Sequence, residues 1–355
     1  MKTRSIVITA VFAAVLVTII VFVVLMTRRN ETYSFMDYYD PIDYGEATVT
    51  VSENDPIDLV VTWVCPDPVN DALRNYYTGN PNASVGSRTE SREELLCLLR
   101  SVDMFAPWIN HVYIVSSTGY PEWLNINNPR VTVVPHTEIF TDHSALPTFN
   151  SHAIESQLHH IPGLSEKYLY ANDDMFFGAP VEPSDFFDEH GRAKAFLWKK
   201  VPRRNKNIKN TMGNAYRMSW RNLSILMDER DGIQVKRFLH HQALPMLKST
   251  TELSEKRYSD VYEIQSRERL RTDPVKYSMT GLPTYYGLAI GTFVLGDIDS
   301  IILNWASVSY NKKLLAKIKK TRPKLFCINN LDDNGNEYWQ EFWREYFPCK
   351  SSFEK

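Results

Sequence analysis

The stretch from Asn150 to Asp174 reads NSHAIESQLHHIPGLSEKYLYANDD: a polar start, an amphipathic segment, a short apolar run and two adjacent carboxylates. Tyr168, Leu169 and Tyr170 read as a buried strand that leads into Asn172, Asp173 and Asp174. Open α/β sheets bind ligands beyond the carboxyl ends of their strands, so this order places an acidic pair at the mouth of such a site. Two carboxylates there suit a hard divalent cation that carries a phosphorylated substrate. Asn-Asp-Asp is equally ordinary turn chemistry, so the flanking blocks decide between the two readings.

Working outward, Ile57–Trp63 (IDLVVTW) is a β-branched apolar strand candidate, and Arg92 to Phe105 places Leu95, Leu98, Leu99 and Val102 at helical intervals. HVYIVSS and RVTVVP read as two further strands around a turn-rich loop, which completes an alternating strand and helix pattern. Beyond Gly178 the texture becomes basic and loop-like (VPRRNKNIKN), then helical near Ser219 to Met227 and Lys236 to Leu247. An amphipathic helix is expected over SIILNWASVSYNKKLLAKIKK, a buried strand in PKLFCINN and a last helix over Asn336 to Phe347. The expected class is α/β: a Rossmann-like open, mostly parallel sheet with a mainly helical insertion or cap at about 179–285.

The chain has 355 residues, 43% of them apolar, with eight Trp, nineteen Tyr and seventeen Phe, ample for a core. Lys and Arg number 40 against 42 Asp and Glu, and no basic and aromatic repeat appears, so nothing argues for nucleic acid. Ser5 to Met26 is a run of 22 residues without charge, long enough at about 1.5 Å per residue to span a bilayer core. Its length, and Arg28 and Arg29 in place of a small-residue cleavage site, favour a retained transmembrane anchor over a cleaved leader. Residues 1–4 then form a short cytoplasmic tail, 27–55 a polar stalk and 56–355 the folded body.

Sequons at Asn30, Asn82 and Asn222 all follow the anchor and favour a lumenal body. The expectation is a single-pass type II protein of the Golgi or another secretory-pathway membrane. Cys65, Cys97, Cys327 and Cys349 would then meet an oxidising compartment, with three pairings open, and their spacing lacks that of a structural zinc site.

These blocks, in this order, resemble the Stealth family of sugar-1-phosphate transferases, which includes capsule-polymer phosphotransferases and the catalytic subunit of GlcNAc-1-phosphotransferase. The first resembles IDLVVTW. The second runs from Arg88 to Asp174, the third is HHQALP followed by RERLRTD, and the fourth is PKLFCINN ending in FPCKSSFEK. The resemblance implies transfer of a sugar-1-phosphate from a nucleotide-sugar donor to a hydroxyl of an acceptor glycan, with nucleoside monophosphate leaving.

It implies that Asp173 and Asp174 hold Mg²⁺ or Mn²⁺ against the donor diphosphate. His241 matches the family's His-x-x-x-Pro histidine and would accept the acceptor's proton, since imidazoles exchange protons near neutrality. Arg269, four residues before Asp273, matches an Arg-x-x-x-Asp pattern and would clamp phosphate, with Arg267 and Arg271 as rivals. Asn150 and Ser151 either bind substrate or cap the following helix, Ser151 as N-cap with Glu155 nearby. Asp58 suits a nucleotide contact or a hydrogen bond at the sheet end, and Arg88 a phosphate or a pairing with Glu93 or Glu94. Asn329 and Asn330 complete the expected substrate contacts. Cys65 stands where the family usually has Asp or Asn, and Asn330 where its Ile-Asn-Asp pattern has Asp. The same parts admit a metal-dependent glycosyltransferase that releases nucleoside diphosphate, or an inactive membrane-anchored glycan-binding protein.

Overall fold

The computed structural model describes residues 55–65, 67–80, 93–202, 207–209, 214–273, 275–304, 308–329 and 336–355. The expected tail, anchor and nearly all of the stalk lie outside them, as do Asn30, Asn82, Arg88 and Asn330. No helix among the described residues is long and apolar enough to cross a membrane.

Five strands form the main sheet: β1 (Ile57–Thr62), β2 (Val112–Ser116), β3 (Val131–Pro135), β4 (Lys167–Asn172) and, further along the chain, β8 (Leu244–Leu247), in the order β3-β2-β1-β4-β8. β1 to β4 run parallel, and β8 pairs antiparallel with β4 at the edge. The open, mostly parallel sheet read from the sequence is therefore present. β1 and β2 are apolar almost throughout because both faces are covered, as parallel sheets require. After β3 the chain crosses to the other side of β1, so the strand order reverses between β1 and β4. Their register pairs Thr62 with Asn172 at the carboxyl ends, and such a switch point opens a crevice for ligand.

β5 (Met175–Phe177) starts two residues after β4 yet joins a second sheet, β10-β11-β5, with β10 (Ser300–Asn304) and β11 (Leu325–Asn329). Asp173 and Asp174 form the turn where the chain leaves one sheet for the other. Crossing there leaves no room for a side chain behind it: a Cβ on Gly178 would lie 2.4 Å from the Pro323 carbonyl oxygen. Phe176, Phe326, Trp343 and Phe347 stack over this second sheet and seat the Asn336–Tyr346 helix. On the other flank the Glu94–Phe105 helix turns Leu95, Leu98, Leu99 and Val102 inward, as their spacing requires, and Ser101 Oγ accepts the β5 amide of Phe177.

Two expectations change. The stretch at about 179–285 carries more helix than strand, and it also supplies the edge strand β8 and two strands of a third sheet. These are β6 (Ala193–Lys200) and β7 (Arg237–Leu239), joined by β9 (Phe293–Gly296). Lys236 to Leu247, expected as helix, is β7 and β8 around a turn, because pairing with β6 and β4 outweighs an apolar spacing that fits either state. Ser300 begins strand β10 and the helix is confined to Val308–Thr321. The Ser219 to Met227 pattern lies within the helix Ala215–Asp231. All four cysteines are free thiols, so the open question of pairing closes with none.

The last residues are part of the core. Phe353 is fully buried, its carbonyl accepts the Asn125 amide, and the Arg100 guanidinium grips Glu354 through Nε at 2.9 Å and Nη2 at 2.8 Å. Burial alone would raise the Glu354 pKa, but hydrogen bonds from Arg100 and Ser351 outweigh it and hold the carboxyl below the ordinary glutamate range. A depressed folded pKa stabilises fully above the unfolded value, and that contribution is lost as pH falls through the folded value. Glu354→Gln is expected to cost about 2 kcal/mol in urea denaturation at neutral pH. The difference from the unaltered chain should shrink toward zero in acid below that range.

Candidate active site

The site is built at the carboxyl ends of β1 and β4. Asn172 Oδ1 accepts from Thr62 Oγ1 at 3.0 Å and from the Tyr170 hydroxyl at 2.9 Å, which locks the paired strand ends together. The next two residues are the acidic pair. Both keep a solvent-accessible face while their carboxyls sit deep among protein atoms, as groups on the floor of a cleft do.

Burial pushes the Asp173 carboxyl well above the usual range, and the charges of Asp174 and Glu94 add to it. Burial also raises Asp174, opposed by the neighbouring His241, by a hydrogen bond from Cys327 and by Arg271. Asp174 Oδ1 has no hydrogen-bond partner among the described residues although it is buried. An orphaned carboxylate oxygen of this kind costs free energy unless a cation or a donor meets it.

His241 arrives just before the edge strand β8. Its ring nitrogen, an Asp174 oxygen and Cys327 Sγ lie within 4.8 Å of one another. Cys327 is on β11 opposite Met175, so the antiparallel pairing that begins β5 delivers the thiol to the acidic turn. The carboxylate pair expected to hold a metal forms this turn, and Asp174 also meets His241 and Cys327 in a group of three possible ligands. These donors and the orphaned oxygen fit a divalent ion. Asn329 lies two residues beyond Cys327 and therefore on the same face of β11.

The arginine assignment also changes. Arg269 is committed elsewhere: its Nε donates to Pro147 O at 2.8 Å, its Nη2 to Ser144 O and Leu146 O, and the guanidinium stacks on Tyr77. Its own carbonyl accepts the Phe149 amide, so Arg269 clamps the loop that leads to Asn150. Asp273 accepts the Leu270 amide at 2.6 Å and closes the turn beside it. Arg271, two residues on, is the guanidinium that acts on Asp174 and Tyr170 and donates to Ser151 Oγ.

Asn150, not Ser151, is the N-cap of the Ser151–Glu155 helix. It accepts from the His152 amide and donates to Glu268 O, so it is structural and Ser151 is left toward the site. Asp58 lies at the opposite, amino end of β1, 1% exposed, accepting from Asn110 Nδ2 and the Ser165 amide. Of its two readings the sheet-end bond is the one found. Asn222 sits within a helix, half-buried, with its amide donated to Lys276 O. Arg271 is one of the two rivals that the sequence offers to Arg269, whereas Cys327, Tyr170 and Tyr216, whose ring lies 6.3 Å from that of His241, are not marked as site residues by the sequence. The position of Cys327 within the apolar run that ends at Asn329 was the one available signal.

Comparison with known proteins places the chain. The family model described as Stealth protein CR2, conserved region 2, matches residues 88–195, which include the acidic turn. The exopolysaccharide phosphotransferase SCO6023 of Streptomyces coelicolor is 37% identical over 311 residues, covering 84% of this chain and 52% of that protein. The exopolysaccharide phosphotransferase CpsY of Mycobacterium tuberculosis is 34% identical over 311 residues, covering 84% and 58%. The chain belongs to the Stealth family, and it spans about half the length of these curated relatives. Among solved structures, the galactosyltransferase LgtC superposes with a TM-score of 0.40 at 11% identity, covering 81% of this chain and 95% of that one, too weak a likeness to bear on the reaction.

The two arginines separate by experiment. Arg271→Ala is expected to lower kcat/KM by about 100-fold or more with the melting temperature unchanged, as loss of an aimed donor does. Arg269→Ala is expected to lower stability by about 1–3 kcal/mol, since it frees three carbonyls and a stacked ring. Steady-state assays paired with thermal denaturation read both.

Proposed function

We propose that this chain transfers a sugar-1-phosphate from a nucleotide-sugar donor to a hydroxyl of an acceptor glycan. The observation that carries the reading is the meeting of an unpartnered, buried Asp174 oxygen with His241 and Arg271 at the switch point of the sheet. Membership of the Stealth family and relatives named exopolysaccharide phosphotransferases support it.

In this mechanism the acceptor oxygen attacks the phosphorus that carries the sugar. The bond from that phosphorus to the nucleoside monophosphate breaks in line, and the hydroxyl proton passes to His241. Asp174 stands against the imidazole, so its charge stabilises the imidazolium as it forms. Arg271 is placed to hold phosphate oxygens, and its bond to Ser151 Oγ fixes the guanidinium in the cleft. Asp173 and Asp174 would hold the divalent ion, which would supply charge neutralisation for the diphosphate and the departing oxygen and leave the His241 lone pair for the proton. Membrane attachment through residues 5–26, with the body in the lumen of the secretory pathway, belongs to the same proposal and rests on the uncharged run.

Labelled nucleotide sugars incubated with the purified chain, acceptor glycan and Mn²⁺ or Mg²⁺ test the reading through the nucleotide released. Nucleoside monophosphate is expected. Nucleoside diphosphate would mean attack at the sugar carbon and would overturn the mechanism. Asp174→Asn is expected to lower kcat by on the order of a thousandfold, the several kcal/mol that charge stabilisation supplies.

A further inference from the structure

A second cluster of ligating side chains lies away from the acidic turn. His159 and His160 end a short 3-10 turn, Leu158–His160, and both direct Nε2 at one oxygen of Glu255 on the Lys248–Arg257 helix. The distances to Oε2 are 2.7 Å from His159 and 3.0 Å from His160, and the three ligating atoms lie within 4.8 Å of one another. The rings are 4.1 Å apart, and Tyr262 meets His159 edge-on. His159 is fully buried, while the His160 and Glu255 side chains remain 25% and 30% exposed, so the cluster is closed on one side and open on the other.

Hydrogen counting singles it out. His160 Nδ1 lies 3.1 Å from the carbonyl oxygen of Ile139, which only accepts, so that nitrogen carries the hydrogen. A neutral His160 then presents a bare Nε2 lone pair to a carboxylate oxygen at 3.0 Å. The contact is attractive only with a positive charge between them, either a second ring proton or a metal ion. A ring proton serves His160, and His159, whose buried Nδ1 has no hydrogen-bond partner among the described residues, then meets Glu255 through its own Nε2–H. A metal ion serves both imidazoles and the carboxylate at once, and His160 already has the outer hydrogen bond to a carbonyl that orients metal-bound histidines.

We propose that His159, His160 and Glu255 form a site for a borderline divalent cation of the Zn²⁺ class, with water on its open side. Two nitrogens and one carboxylate oxygen make a three-ligand set with a vacant position. Imidazole donors favour Zn²⁺ over Mg²⁺ or Ca²⁺, which take oxygen. Glu252, one turn before Glu255, adds negative charge to the surroundings of both histidines. The site staples the segment that follows the Ser151–Glu155 helix to the helix that follows β8. It therefore braces the two chain segments that bring Ser151 and His241 to the acidic turn.

Zinc titration of the EDTA-stripped chain in an Asp174→Ala background, which removes the other ligand group, tests this by calorimetry and thermal melting. One equivalent of Zn²⁺ and a zinc-dependent rise in melting temperature are expected. Adding His160→Arg keeps a cation for Glu255 but removes a ligand. Zinc binding should then weaken by more than the 10–100-fold that loss of an outer-shell partner costs, with the zinc-free melting temperature retained. Glu255→Gln in the same background should weaken it likewise. Co²⁺ substitution should give visible bands without the near-ultraviolet absorption of a cobalt-thiolate bond. Failure of the Asp174→Ala chain to bind zinc, equal binding after His160→Arg, or a thiolate band would each overturn the site.

Discussion

Two carboxyl groups packed side by side away from bulk water cannot both carry charge without a cation nearby, and the site is arranged around that constraint. Asp173 and Asp174 are raised by burial, and Asp173 further by its neighbour. Their turn is where the chain passes from the main sheet to the second sheet, so neither can swing out to solvent without breaking the start of β5 or the end of β4. The compensating groups come from elsewhere in the chain: His241 from beside an edge strand, Arg271 from the loop beyond the Ser259–Arg267 helix, and the Cys327 thiol from β11. Each favours the ionised form of Asp174, beside a crevice into which a phosphorylated substrate would bring its own negative charge.

The arginines show how a binding surface is held in shape. Arg269 spends Nε and Nη2 on the backbone carbonyls of Ser144, Leu146 and Pro147, a neutral task that fixes the loop before Asn150. Asn150 then caps its helix and holds Glu268 O, so the loop and the Arg269 segment are bonded to each other in both directions. Between these ties Arg271 donates to Ser151 Oγ, and its charge favours the ionised form of Asp174. A clamp and a working group two residues apart explain why the stretch is so basic without being a solvated face.

Much of this was legible in the sequence where a single physical signal dominates. β1, β2 and β4 announce themselves as continuous β-branched and aromatic runs, and the Glu94–Phe105 helix by its leucine spacing. Acids directly after the YLYAN run placed the site at the sheet's carboxyl edge. The failures are of a different kind. FLHHQALPML has apolar positions compatible with either helix or strand, and only pairing with β6 and β4 decides. In RERLRTD the three arginines are chemically alike, and their directions depend on a turn closed by Asp273 that composition does not encode. Cys327 looked like any apolar strand residue because its role comes from pairing opposite Met175.

The edge strand β8 carries a consequence for how the centre is held together. Asp174 and His241 are separated by the whole excursion through β6, the Ala215–Asp231 helix and β7, and β8 returns antiparallel to close the main sheet beside β4. The acidic pair ends a parallel strand, whereas the imidazole is held by the antiparallel edge strand beside it. Their spacing is therefore set by the β4–β8 register, and a change that loosens that one edge pairing would separate the acid from the imidazole without touching either residue.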